Sequence, residues 1–209
     1  MLFNLLFQSP ELFMIIILAI IYAITIHEFS HALAAETLGD ATAKFNGRLT
    51  LNPLAHLEFL GTLMLLMAGF GWGKPVPVNI YNLKWRKYGE ALVSLAGPLS
   101  NFLSVILFII LFKLLAPNLP PNNLLFIFLS NLIIINLILG VFNLIPIPPL
   151  DGSKILFAFL PSNFNELKRK MIINGPWVLL ILIIADNFLG FNIFGRIFNY
   201  FINLINYFI

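Results

Sequence analysis

Apolar residues in this chain fall into long runs, and the polar positions are gathered between them. The first run, residues 12 to about 35, predicts a helix of about 36 Å, enough to cross a hydrocarbon core of about 30 Å. Gly39 and Asp40 supply its stop signal. Two more runs, residues 91 to about 116 and 124–145, predict a second and a third span, and the second is interrupted by Ala96-Gly97-Pro98. Small residues there let another helix approach closely, and Pro98 allows a kink. Residues 60–70 are apolar but too few to cross, which reads as a re-entrant or interfacial segment shielded by protein. Asn46-Gly47, set between alternating segments over residues 41–52, predicts a β-hairpin. Residues 71–79 are punctuated by Pro75 and Pro77 and read as extended, with Trp72 and Lys74 suited to the headgroup level. A polar loop over 161–170 leads to a last apolar hairpin, roughly 172–185 and 191–209, divided by Asp186, Asn187 and Gly190. The predicted fold class is an all-α polytopic membrane protein: a helical bundle with a small membrane-associated β-hairpin and a short re-entrant or interfacial segment. It is read as one integral-membrane domain over residues 1–209, with a core over 12–160 and the C-terminal apolar hairpin over 172–209.

Composition sharpens this reading. With 60% hydrophobic and 10% charged residues, the chain is far from a soluble average. The net charge of +3 is small and scattered through loops, which argues against nucleic acid as a partner. Cysteine is absent, so disulfides and thiolate ligands are excluded and any metal must take nitrogen and oxygen donors. Residues 1–8 carry no lysine or arginine and no small-residue cleavage site, so the first apolar segment is expected to be retained. The segment after the first span carries Lys44, Arg48, Lys74, Lys84, Arg86 and Lys87, and the segment after the third carries Lys154, Lys168, Arg169 and Lys170. The turn between the second and third spans has only Lys113 at its edge, so the positive-inside bias puts the first two segments on the cytoplasmic side of a cell membrane.

The chemistry is concentrated at His27-Glu28-Phe29-Ser30-His31, inside the first span. Residues four apart share a helix face, so both imidazoles can address one ion while Glu28 lies beside it. This is the spacing with which zinc metalloproteases hold a metal and take a proton from water. Ionisable groups at membrane depth are costly, which favours function over a pair of satisfied interior histidines. A third donor is offered by Asp151, after Pro146, Pro148 and Pro149 have forbidden a regular helix. Taken alone, Asp151 suits the N-cap of a helix starting near Ser153; with two histidines lacking a partner, it reads as the third ligand. The charge-derived topology supports this independently, because the first and third spans then exit on the same side and the ligands meet at one depth. His56 lies outside any span without a partner at helical spacing and reads as a surface or hydrogen-bonding histidine.

Three segments together resemble the site-2 protease family of intramembrane zinc metalloproteases: His27 to His31, Ala96-Gly97-Pro98-Leu99-Ser100-Asn101, and Asn143 with Pro146-Ile147-Pro148-Pro149-Leu150-Asp151-Gly152. Asn52-Pro53-Leu54-Ala55-His56 and Gly73-Lys74-Pro75-Val76-Pro77-Val78-Asn79 resemble its compact prokaryotic branch. The resemblance implies one zinc ion held by His27, His31 and Asp151, Glu28 as base, and Asn143 positioning substrate or the developing oxyanion. It also implies a transmembrane protein or peptide as substrate. A helix hides its carbonyls, so that segment is expected to unwind before attack and to pair by its main chain with the free edge of the expected hairpin, which otherwise reads as a lid or packing element. No PDZ insert interrupts the chain, and no span precedes the metal helix in this sequence. Two rival readings are a proton or metal-ion transporter, which would need polar groups on several spans beyond Ser130, Asn131 and Asn136, and a binding-only relative.

Overall fold

A short helix, α1 (Leu2–Gln8), opens the chain, and after Ser9 the first apolar run becomes α2 (Pro10–Thr37). Pro10 stands in the first turn, where its missing N–H leaves no hydrogen bond unmade. The computed structural model describes residues 2–118, 120 and 122–207. α2 ends where the N–H groups of Gly39 and Asp40 turn back onto the carbonyls of Glu36 and Ala35.

The expected β-hairpin is not formed. Residues 42–45 are instead a single helical turn, α3 (Thr42–Phe45), and among the described residues there is no strand, only an isolated bridge between Leu57 and Gly73. Asn46-Gly47 closes that turn: Gly47 has φ +66°, its N–H meets Lys44 O, and the Arg48 N–H meets Ala43 O. The same Asn-Gly signal serves a helix C-terminus as readily as a hairpin, since both need a residue in the left-handed region. The alternating pattern of residues 41–52 is short, and Asp40 captures the start of α3 through the backbone N–H and the hydroxyl of Thr42.

The next apolar segment is α4 (Phe59–Ala68), ten residues started by the Glu58 side chain, which accepts from Gly61 N. At about 15 Å it is too short to cross a bilayer. The second span is α5 (Arg86–Leu115), running through Pro98, and the third is α6 (Leu124–Asn143), capped by Asn123 Oδ1 on Leu125 N. Helix α7 (Asp151–Phe159) follows the proline segment, and the chain closes with α8 (Asn165–Leu189) and α9 (Ile193–Asn206). The expected polar loop is partly helical: Glu166, Lys168, Arg169 and Lys170 lie in the opening turns of α8. These are good helix formers, and Glu166 sits favourably at the positive end of the helix.

α2, α5 and α6 carry the three stretches long and apolar enough to span a membrane, with mean hydropathies of 2.3, 2.2 and 2.6. They pack on one another, and α7 packs on α5. α5 shows how one helix serves two surroundings. Leu92, Leu95, Leu99, Leu103, Ile106 and Ile110 are exposed, whereas Val93, Gly97, Asn101, Val105, Phe108 and Phe112 are buried. Both sets repeat at three or four residues, so one face meets lipid and the other meets protein. The core between spans is formed by Ala19, Phe108, Phe112, Leu132, Ile133 and Leu137 among others.

A polar hub outside the bundle holds residues 71–82. Asp40, with no exposed surface, accepts from Asn79 N (2.6 Å) and Asn82 Nδ2 (3.0 Å) as well as from Thr42. The buried Arg48 guanidinium donates to the carbonyls of Lys74 and Pro75. His56 is also fully buried rather than on the surface, with its Nε2 on Thr50 O at 2.7 Å and its own carbonyl accepting from Lys74 N. Burial pushes the Asp40 carboxyl up, but the donors from Thr42, Asn79 and Asn82 hold it below its ordinary value. A carboxyl depressed by folding stabilises the fold fully above its unfolded pKa and loses that contribution as pH falls through the depressed one. The stability gap between wild type and Asp40→Asn is therefore expected to be widest near neutrality and to shrink below about pH 4, as read by thermal unfolding in detergent.

Candidate metal centre

His27 and His31 lie one turn apart on the buried face of α2, and the third span returns a carboxylate to them. After α6 the prolines at 146, 148 and 149 keep the chain out of regular helix until Asp151, the first residue of α7. Gly152 makes that return sterically feasible: a Cβ there would stand 2.1 Å from Leu144 O. Asp151 makes no capping hydrogen bond to its own helix. Its Oδ2 lies 3.1 Å from His31 Nε2 and 3.2 Å from His27 Nε2, and the two Nε2 atoms are 3.0 Å apart. All three residues are buried.

The outer nitrogen of each ring is already engaged. His31 Nδ1 lies 2.7 Å from Val93 O, a pure acceptor, so the proton sits on Nδ1 and Nε2 presents a lone pair. His27 Nδ1 lies 2.6 Å from Asn101 Oδ1. Two imidazole nitrogens and a carboxylate oxygen thus meet as acceptors, an arrangement that calls for a cation. Tetrahedral ligands at about 2.0–2.1 Å from zinc stand about 3.3 Å apart, close to the observed triangle. The residues present fit such an ion, and among the described residues they are the one group of histidine and acidic side chains so placed.

α5 supplies the wall behind the rings and no ligand. A Cβ on Gly97 would stand 2.4 Å from His31 Nε2 and 2.7 Å from His27 Cε1, so only glycine lets the helix lie there. The spacing of small residues announced a close helix approach, but not that the surface approached is the imidazole pair. The Val93 carbonyl left no sequence signal at all, because it is a backbone group. Asn101 was traceable as a polar residue on an apolar span, four positions beyond Gly97.

Glu28, half-buried, and Asn143 line the same cavity of about 530 Å³ as the three candidate ligands. Asn143 Nδ2 donates to Leu139 O at 3.0 Å. The extended segment with Trp72, Val76 and Val78 lines this cavity too, as do Phe70 and Phe142. A second, more apolar cavity of about 350 Å³ between α2, α4 and α6 shares Ile24, Phe70, Trp72 and Phe142 with the first. His56 does not join the centre. Ser130 and Asn131 hydrogen-bond to carbonyls of their own helix, leaving only Asn136 of the third span's polar residues directed toward α5.

Comparison with known proteins gives a consistent picture. A family model described as peptidase family M50 matches residues 119–184. YwhC of Bacillus subtilis, provisionally named a zinc metalloprotease, is 39% identical over 81% of this chain and 80% of its own length. Rip2 of Mycobacterium tuberculosis, named in the same provisional way, is 33% identical over 82% of this chain and 66% of its own. The zinc metalloprotease MJ0392 of Methanocaldococcus jannaschii is 26% identical over 86% of this chain and 44% of its own. No solved structure matches the chain at a significant level.

The glycine wall generates a direct test. Gly97→Ala is expected to separate the rings and lower metal retention at least about tenfold, as for other disturbances next to a metal ligand, measured as zinc content after dialysis against a chelator.

Proposed function

This chain belongs to peptidase family M50, and from that premise we propose that it hydrolyses a peptide bond within or near a transmembrane segment of a membrane-protein substrate. In this reading zinc is held by His27, His31 and Asp151, Glu28 is the base, and Asn143 orients the substrate. The observation that carries it is the meeting of three acceptor atoms within 3.0–3.2 Å of one another, in a cavity that also holds a free carboxylate. A zinc ion held by these residues would supply Lewis acidity toward the scissile carbonyl and the attacking water.

Glu28 takes the proton of the attacking water and delivers it to the leaving amine nitrogen. One amide hydrogen of Asn143 is tied to Leu139 O, which steadies the side chain and leaves its other hydrogen for a carbonyl oxygen that gains charge. The substrate must be extended at the point of attack, because a helix hides its carbonyls in hydrogen bonds. Residues 75–78 supply a surface for that extended form. Among the described residues the N–H and C=O groups of Val76 and Val78 have no hydrogen-bond partner, while Arg48 and Asp40 hold the segment from either end. This segment takes the place of the hairpin edge as the partner for main-chain pairing.

In the same reading the centre lies within the bilayer toward the cytoplasmic side of the cell membrane, which two features support. His31 is six residues, about 9 Å of helix, from the end of α2, and the loop beyond carries Lys44, Arg48, Lys74 and Lys84. α4, apolar and short, is read as the re-entrant or interfacial piece. One domain over residues 1–209 holds these parts, with the core over 12–160 and the apolar hairpin over 172–209 outside it.

Glu28→Gln is expected to abolish cleavage of a transmembrane test peptide while zinc content stays at wild-type level; normal turnover would remove Glu28 from the mechanism. Asp151→Asn should lower zinc content after dialysis, and an unchanged content would count against Asp151 as a ligand. Val76→Pro deletes one donor of the extended segment, so cleavage should fall with zinc content intact.

A further inference from the structure

Asn101 and Asn136 are fully buried polar side chains on the spans that the mechanism above does not use. Both have no exposed surface, they stand on different spans, and they touch each other behind His27. Their hydrogen bonds have a direction that can be worked out from the backbone. Asn136 Nδ2 lies 2.8 Å from Leu132 O, which can only accept, so the nitrogen is on that side and Oδ1 points to Asn101. Asn101 Nδ2 then donates to Asn136 Oδ1 at 2.9 Å and to Ala23 O at 3.1 Å, which uses both of its hydrogens. Its Oδ1 is thereby turned to His27 Nδ1 at 2.6 Å, where it can only accept. Every orientation along this chain is fixed by a helix carbonyl at its end.

We propose that Asn101, held in one amide orientation by Asn136 and the Ala23 carbonyl, is a positioning residue that locks His27 in its Nδ1–H tautomer and so keeps the Nε2 lone pair aimed at the metal. The proposal rests on the metal reading above for its purpose but on hydrogen-bond geometry for its content. A flipped Asn101 would set an NH₂ group against His27 Nδ1, favour the other tautomer and put a proton where the metal belongs. Two buried amides confined to joining spans would have no need of that polarity. Third spans in which residue 136 is apolar would still pack, but the amide at 101 would lose one of the two acceptors that orient it.

The test uses the full chain in detergent micelles, labelled with ¹⁵N-histidine and stripped of metal by chelator. There are only three histidines, so His27 is assigned with His31→Gln and His56→Gln variants. Wild type should show His27 in the Nδ1–H form before any zinc is added. Asn101→Leu should shift it toward the Nε2–H form and weaken zinc binding, by chelator competition, about ten- to a hundredfold. Asn101→Asp, whose carboxylate still offers an acceptor to His27 Nδ1, should restore both the tautomer and most of the affinity relative to Asn101→Leu even though its fold melts at lower temperature, which a merely structural role would not allow. Asn136→Leu should move both readouts in the same direction as Asn101→Leu and by less. An Nε2–H His27 in metal-free wild type overturns the lock without any variant, as does zinc affinity within about twofold of wild type in folded Asn101→Leu. Wild type that holds the Nδ1–H form yet takes up no zinc would instead overturn the metal reading and leave the lock standing.

Discussion

Three electron-rich atoms brought within 3.0–3.2 Å of each other in a buried site repel unless a cation or a proton sits between them. Much of the architecture near the centre serves to hold that unfavourable arrangement ready. α2 supplies two rings, the proline segment and Gly152 return the carboxylate, and α5 fills the space behind the rings with backbone. Each outer ring nitrogen is tied to α5, one to a side chain and one to a carbonyl, so neither ring is free to turn away. The charge requirement and the fixed rings suit a single small cation.

Around that centre, polar groups are placed where they are satisfied. Within the spans Ser104, Asn101, Asn131 and Asn136 all reach a partner, as the absence of water at membrane depth demands. Outside the spans Asp40 and Arg48 tie a loop with few hydrogen bonds of its own to the wall of the cavity. Two long-range anchors thus replace the sheet that would otherwise keep such a segment extended.

The three spans were legible because their apolar runs are long and their boundaries carry capping signals, and the meeting of His27, His31 and Asp151 was legible because such residue types are expensive at that depth. The hairpin was misread at Asn46-Gly47 because a left-handed residue ends a helical turn and reverses a strand pair with the same chemistry. Of the two readings of His56, surface or hydrogen-bonding, the second holds, through Thr50 O, and its full burial left no signal in the neighbouring residues. The direction of the asparagine chain was beyond the sequence, since it depends on which helix carbonyls end it. The Val93 carbonyl was equally hidden, because any residue would offer the same group.

The ligands are far apart in the order of synthesis: Asp151 comes 120 residues after His31. A growing chain that has threaded its first two spans into the lipid carries both imidazoles and the base but lacks the carboxylate, and α6 with its proline segment must follow before the set is complete. If Asp151 is the third ligand, as proposed, the nascent protein would lack a complete metal centre while most of it is being made. On that reading hydrolytic competence would arrive late, as a property of the finished bundle, and a truncated product ending before α7 would lack it.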